Sequence, residues 1–168
     1  MYATETIQSE LFKDFHPNSK IWIYTAERVL KPSEIESINT LIFAFTKDWT
    51  AHNQALKASG TVMNNRFIIL AVDETQANAS GCSIDKSIHF IKSIETSYSL
   101  NLFNRLSLIY MDREVQKLSA LSDLPKKIAD GEILKSTLIF DTTLTQLGKF
   151  RSEFMKEAGQ SWVLKFFK

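Results

Sequence analysis

The only cysteine of the chain lies in a short segment, residues 79–85, whose residue types are those of a helix start. Ser80, Ser83 and Asp85 each carry an oxygen that can accept a hydrogen bond from the first N–H groups of a helix. We therefore expect Cys82 at or just before the first helical turn, where unpaired N–H groups and the helix dipole stabilise a thiolate. This position makes Cys82 a candidate nucleophile.

The direction of the Cys82 side chain follows from the periodicity of the residues after it. At about 100° per residue, Ile84, Ile88 and Ile91 form an apolar stripe on the side of the helix opposite Cys82. Cys82 and Asp85 are thus expected to face a rim or a cleft. The alternative is that the lone cysteine is a small buried hydrophobic residue with an inert sulfur.

A general base for Cys82 has to come from another segment of the chain. His89 lies seven residues further along the same predicted helix, a rise of roughly 10 Å, which is too far for direct proton transfer. His52 lies just after another predicted helix, in a loop whose aromatic and polar residues suit a pocket wall. The candidate catalytic residues are therefore Cys82, His52 and Asp85, with Asp85 either orienting a histidine or opposing thiolate formation.

These segments predict a pocket where the 48–53 loop, the end of the strand at Val72 and the start of the Cys82 helix meet. We expect a small polar molecule to bind there, with thiol chemistry at Cys82 and without a cofactor or a bound metal. The residues expected to contact the ligand are Trp49, Arg66, Asp73, Ser80 and Ser83.

A second pattern indicates a different chemistry, because three predicted strands end in aspartate. If these strands ran parallel, Asp73, Asp112 and Asp141 would gather at the edge of the sheet where α/β proteins bind ligands. Clustered carboxylates hold magnesium for phosphoryl transfer. Aspartate is also a common helix cap and strand terminator, which is the structural alternative. The arginines that could steady phosphate oxygens are Arg28, Arg66 and Arg113.

A third hypothesis needs no catalysis, and it leaves open whether the protein is an enzyme. The large aromatic residues could form an apolar groove or a dimer face, although burial in the core is their commoner fate. This hypothesis makes the chain an interaction or dimerisation module, either a monomer or a homodimer. The aromatic residues concerned are Trp22, Tyr24, Trp49, Trp162, Phe166 and Phe167.

Composition and motifs argue against several other classes of function. The net charge of +1 favours neither nucleic acid nor an acidic membrane surface as a partner, and no apolar run is long enough to span a bilayer. A phosphate-binding loop is absent, because the only Gly-Lys pair, Gly148-Lys149, is followed by Phe150 instead of Ser or Thr. With one cysteine and an N-terminus unlike a secretory signal, we expect a cytoplasmic protein.

The elements that must position these residues alternate between strand and helix patterns over 168 residues, the length of one domain. We expect an N-terminal helix or flexible arm over residues 1–14 and a single domain over residues 15–168. Ser33 and Glu36 have the spacing of a capping box and predict the start of one helix. The predicted strands cover residues 20–28, 66–72, 106–111, 137–140 and 162–167, and a last helix covers residues 144–158. This order predicts an α+β fold with a mixed sheet of about five strands, with a parallel α/β sheet as the alternative.

Several segments together resemble a family of short proteins from Bacteroidetes-type bacteria, some of which are labelled ABC transporter ATPases. The resemblance covers roughly residues 15–165, and its most specific part is the run Ser-Gly-Cys-Ser-Ile-Asp at residues 80–85. It implies a bacterial cytosolic protein and transfers no catalytic role to any residue. The other segments concerned are Trp22-Ile23-Tyr24, Trp49-Thr50-Ala51-His52, Arg66-Phe67 and Val72-Asp73-Glu74.

Overall fold

The computed structural model describes residues 3–168, with side chains from Ile7 onwards. Its helices are α1 (Ala3–Glu10), α2 (Pro32–Asp48), α3 (Gly81–Tyr98), α4 (Leu124–Ala129) and α5 (Leu147–Glu153). Its strands are β1 (Lys20–Thr25), β2 (Thr50–Ala51), β3 (Gln54–Ala55), β4 (Lys57–Met63), β5 (Phe67–Asp73), β6 (Ser107–Asp112), β7 (Val115–Ala120), β8 (Leu138–Phe140) and β9 (Met155–Glu157). Short 3₁₀ segments cover Leu121–Asp123, Ala158–Gln160 and Trp162–Phe166. Within this described part, no helix combines the length and the apolar character needed to cross a membrane.

The strands form three antiparallel sheets, so the predicted α+β class is confirmed, whereas the expected single mixed sheet of about five strands is not found among the described residues. The sheets have the strand orders β1-β5-β4, β2-β3 and β7-β6-β8-β9. Each strand pair in the described residues is antiparallel, so the parallel α/β alternative is not found. The reason is local: two residues join β6 to β7 and three join β4 to β5, whereas parallel neighbours need a long crossover.

Strand β5 is the centre of the fold, and all seven of its residues are buried. Ile68, Leu70 and Val72 pack with residues of α2 and α3 on one face of the sheet. Phe67 and Ile69 pack on the other face with aromatic residues from β8 and the region of α5. A strand covered on both faces reads as a continuous apolar run, which is why residues 66–72 are recognisable in the sequence.

The predicted start of α2 is wrong because other residues make the capping contacts. Helix α2 begins at Pro32 rather than Ser33, and its capping glutamate is Glu34, which accepts the Lys31 N–H at 2.8 Å. Proline favours the first helical position because it has no N–H to leave unpaired. The Ser33–Glu36 pairing expected from the sequence is therefore not the cap.

The C-terminal prediction is wrong in two places. The last helix ends at Glu153, and Met155–Glu157 forms strand β9 beside β8, because those backbone groups complete the edge of the sheet. The segment predicted as a final strand is 3₁₀, and the Ser161 hydroxyl accepts the Val163 N–H at its start. The polar strands β4 and β7 and the short β2–β3 hairpin carry weak apolar patterns, and the sequence did not predict them.

Candidate functional site

The start of α3 is held by a reciprocal serine pair. The Ser80 hydroxyl accepts the Ser83 N–H at 3.2 Å, and the Ser83 hydroxyl accepts the Ser80 N–H at 2.7 Å. The Ser83 carbonyl also accepts the indole N–H of Trp49 at 2.8 Å, and both residues are buried. Ser83 and Trp49, expected to contact a ligand, instead anchor strand β2 to the first turn of α3.

Cys82 is the second residue of α3, and its side chain is exposed. The exposure agrees with the outward position expected from the helical projection, although the buried face of α3 consists of Ser83, Ser87, Ile91 and Ile94, with Ile84 and Ile88 half-buried. Cys82 lines a shallow depression of about 420 Å³ together with Asp85, Lys86 and His89. We call this surface the Cys82 depression. His89 thus shares a surface with Cys82 although it lies two helical turns away.

His52 occupies the tip of the β2–β3 hairpin. His52 and Asn53 form its two-residue turn, and their φ angles are 51° and 63°. Two left-handed residues are the signature of a type I′ turn, in which glycine and asparagine are common and histidine is less usual. The turn holds the imidazole at the surface, where it is exposed.

A second depression, of about 350 Å³, lies between this hairpin and the loop that leads into α3. We call it the hairpin depression; it is lined by Ala51, His52, Gln54 and residues 76–80. His52 and Ser80 therefore both line the hairpin depression, while Cys82 and Asp85 line the Cys82 depression. The structure does not place His52 with Cys82 in a common depression.

Asp73 ends β5, and its carboxylate is buried and fully bonded. It accepts the Lys57 ammonium at 2.8 Å and the backbone N–H groups of His16 and Thr75 at 3.1 Å. Burial raises the pKa of Asp73, but these hydrogen bonds outweigh burial and leave the pKa well below its ordinary value. The sequence predicted that Asp73 contacts a ligand. In the structure, its carboxylate joins the N-terminal segment to strands β4 and β5.

Arg66 lies at the other end of β5, away from the loop that leads into α3. It is buried, and its guanidinium donates to the carbonyl oxygens of Ala26 and Glu27 and to the Gln116 side chain at 2.9–3.0 Å. Burial lowers its pKa. Arg66 therefore lies away from the expected pocket, because the residue precedes a strand whose opposite end leads towards α3.

The three aspartates that end predicted strands do not meet. Asp73, Asp112 and Asp141 each pair with a different lysine, namely Lys57, Lys117 and Lys156. Because β6 and β8 are antiparallel, their C-terminal ends point in opposite directions. Among the described residues, no group of three His, Cys, Asp or Glu side chains is arranged to hold a metal ion.

Three of the six aromatic residues considered for an interface lie in or against the core beside α2 and α3. Tyr24 and Trp49 are buried, and Trp22 packs against Trp49 with ring centroids 5.8 Å apart. The C-terminal residues Trp162, Phe166 and Phe167 are partly exposed, like Trp22, and they pack on their other side against buried residues. Among the large apolar side chains that are strongly exposed is Phe43 on α2, at 70 % exposure.

Sequence reasoning missed four polar residues that the fold brings to these surfaces. Gln54, Gln76 and Asn78 line the hairpin depression, and Lys86 lines the Cys82 depression. The small polar residues after Asp73 are typical of a turn, but nothing in them indicates which hairpin they face. That contact depends on the pairing of β2 with β3 and on the Trp49 anchor.

Comparison of the chain with protein-family models, with curated proteins and with solved structures found no match.

The exposure of Cys82 leads to a direct prediction. We expect iodoacetamide to alkylate Cys82 in the native protein at a rate within about tenfold of the rate in denaturant, because the thiol is accessible in both states. The measurement is the alkylation rate by mass spectrometry, native against unfolded. A native protein that resists alkylation while the unfolded chain reacts normally would contradict an exposed Cys82.

Proposed function

We propose that this protein binds a small, uncharged polar molecule in the hairpin depression. The observation that supports this most is the convergence of His52, Gln54, Gln76 and Asn78 on one surface. Within residues 7–168, no side-chain hydrogen bond or ion pair engages any of these four groups. These exposed side chains bond to water instead, and a ligand with matching polar groups can replace that water.

The backbone around these side chains is well fixed, which favours binding. The Glu74 carboxylate accepts the Ala79 N–H at 2.9 Å, and Ala77 is buried in the core beside α3. On the other wall, the Trp49 indole fastens the hairpin to α3, and the Leu56 N–H donates to the Trp49 carbonyl at 3.0 Å. A ligand would therefore meet a surface whose backbone needs little reorganisation.

The chemistry of the lining defines the ligand class. The depression contains no Asp, Glu, Lys or Arg, so no full charge compensates a charged ligand. Amide side chains each offer donors and an acceptor, and a histidine adds one of each when neutral. A molecule with alternating hydroxyl, amide or carbonyl groups matches this set.

Cys82 supplies the second part of the proposal. It is two residues from Ser80, which lines the hairpin depression, and it lies on the first turn of α3. A ligand that extends past Ser80 would bring an electrophilic group to the exposed thiol, beside the Lys86 ammonium and the Asp85 carboxylate of the Cys82 depression.

The test is a titration of the isotopically labelled protein with sugars, nucleosides and small amides, followed by NMR. We expect ligands that shift the resonances of residues 51–54 and 76–80. His52→Gly removes the imidazole while suiting the left-handed turn, and with Asn78→Ala it should weaken binding by about 3–10-fold per hydrogen bond lost.

His89→Ala is the matched control, since it removes an exposed histidine from the Cys82 depression only. Loss of binding in His89→Ala with full binding in His52→Gly would move the site to α3 and contradict the hairpin proposal. Cys82→Ala at full affinity would remove the thiol part and leave the binding part in place.

An interaction or dimerisation module is the second candidate. Phe43 and Leu41 on α2 are 70 % and 43 % exposed, and such side chains often mark a contact surface. A molar mass that rises with protein concentration in light scattering would support this candidate, and a constant monomer mass would contradict it.

A further inference from the structure

A groove unrelated to either depression lies between α4 and the C-terminal 3₁₀ segment. Its volume is about 690 Å³, within the range of roughly 300–1,000 Å³ that is usual for small-molecule sites. We propose that this groove, the α4 groove, binds a single-chain amphiphile with an anionic head group, a medium-chain fatty acid being the simplest example. Its lining residues are Pro125, Ile128, Ala129, Lys165, Phe166 and Lys168.

The walls of the α4 groove are apolar where a hydrocarbon chain would lie. Ile128 and Ala129 come from α4, and Phe166 faces them from the C-terminal segment. Ile128 and Phe166 pack onto a cluster in which Leu124 and Val163 have no exposed surface. The groove therefore rests on a close-packed base, and each methylene buried in it should strengthen binding by about fourfold.

The two polar residues of the lining are both cations. Lys165 and Lys168 have no carboxylate partner in the described part of the chain, in contrast to Lys127, whose ammonium is bound by Glu132. The Lys165 ammonium lies over two rings, 5.6 Å from the Trp162 centroid and 5.2 Å from the Phe166 centroid. A positive charge above an apolar surface is complementary to an anionic head joined to an alkyl chain.

The lining of the α4 groove contains no acidic side chain. Glu132 is paired with the Lys127 ammonium, and Asp123, which accepts the Ser122 hydroxyl, precedes α4 outside the lining. Asp130 follows α4 but is not part of the lining. Lys165 and Lys168 are thus the charged side chains among the residues that line the groove.

The concave shape favours a single molecule over a lipid surface. The apolar atoms of Ile128 and Phe166 are recessed, since both side chains are partly buried. Leu164 is the one large apolar side chain of the described C-terminal segment that is strongly exposed, at 44 %. Insertion into a bilayer usually requires a broader protruding apolar face.

The experiment is calorimetric titration of the full chain with octanoate, decanoate, decanol and decyltrimethylammonium. We expect decanoate to bind about tenfold or more tightly than octanoate, because it is two methylenes longer, and more tightly than the neutral and cationic chains. The double variant Lys165→Glu/Lys168→Glu should weaken decanoate binding by about tenfold, since it removes two charge contacts. Ala129→Trp places a large ring in the groove from an exposed position and should abolish binding.

Lys149→Glu is the matched control, because Lys149 is an exposed lysine on α5, outside the α4 groove. It should leave decanoate binding unchanged, as should His52→Gly, which keeps this proposal separate from the hairpin depression. Equal affinities for decanoate and decanol would overturn the proposal, and so would affinity that is independent of chain length. Binding to phosphatidylglycerol vesicles without binding to monomeric decanoate would assign the segment to a membrane surface instead.

Discussion

Asp73→Asn is expected to lower the free energy of unfolding by about 2–3 kcal/mol, because one buried carboxylate is bonded to three parts of the chain. The substitution keeps the shape of the side chain and removes its charge. The Lys57 ammonium then loses its charged partner. The NH₂ group of the new side-chain amide also faces a backbone N–H of His16 or Thr75, from which it cannot accept a hydrogen bond. Urea denaturation of the variant and the wild-type protein at neutral pH measures the difference.

The ionic contact of Asp73 also predicts a pH dependence: the difference in the free energy of unfolding between the wild type and Asp73→Asn should change with pH. The folded state holds the pKa of Asp73 below its value in the unfolded chain, which is about 3.9. The stability it contributes is therefore complete above that unfolded value and is lost as the pH falls further. The difference in the free energy of unfolding between the wild type and Asp73→Asn should be largest near neutral pH and should decrease in acid.

Asp112→Asn is the control for both measurements, because Asp112 also pairs with a lysine but lies half-exposed beside the tip of the β6–β7 hairpin. Solvent screens such a pair, so its removal should change stability little. Equal losses of unfolding free energy in Asp73→Asn and Asp112→Asn would contradict the claim that the buried contacts of Asp73 stabilise the fold.

Gly60→Ala is expected to destabilise the fold by about 1–3 kcal/mol through overpacking. A Cβ at this position of β4 would lie 2.7 Å from Ile42 Cγ2, 2.8 Å from Leu70 Cδ2 and 2.8 Å from the Ile69 carbonyl oxygen. The side chains can move, but the carbonyl belongs to the central strand β5 and cannot. Helix α2 approaches the sheet this closely because residue 60 has no side chain, and thermal unfolding should show the loss.

Gly81→Ala provides the comparison at a glycine with free space. No atom lies within 4 Å of the Cβ it would add, and the residue is the first of α3, where alanine is the better helix former. Its stability should equal or slightly exceed that of the wild type. A Gly60→Ala variant as stable as Gly81→Ala would mean that α2 is free to move away from β4.

Much of the local structure could be predicted from the sequence, because it depends on residues only a few positions apart. The alternation of apolar residues after Lys20 predicts β1, and the continuous apolar run before Asp73 predicts the buried β5. Ser80 as a cap and the isoleucines after it predict where α3 begins and that Cys82 is on its outer side. Capping hydrogen bonds and helical periodicity join residues within one or two turns of each other, so they can be predicted from the local residue pattern.

The tertiary structure alone decided which of these elements meet. Antiparallel pairing separates Asp112 from Asp141, and the direction of β5 puts Arg66 at the end remote from α3. The Trp49 indole brings the His52 hairpin to the α3 start, where His52 joins Ser80 rather than Cys82. Such contacts join residues tens of positions apart, and the backbone pairing that creates them leaves no period in the sequence, because it is selected by the packing of the whole core.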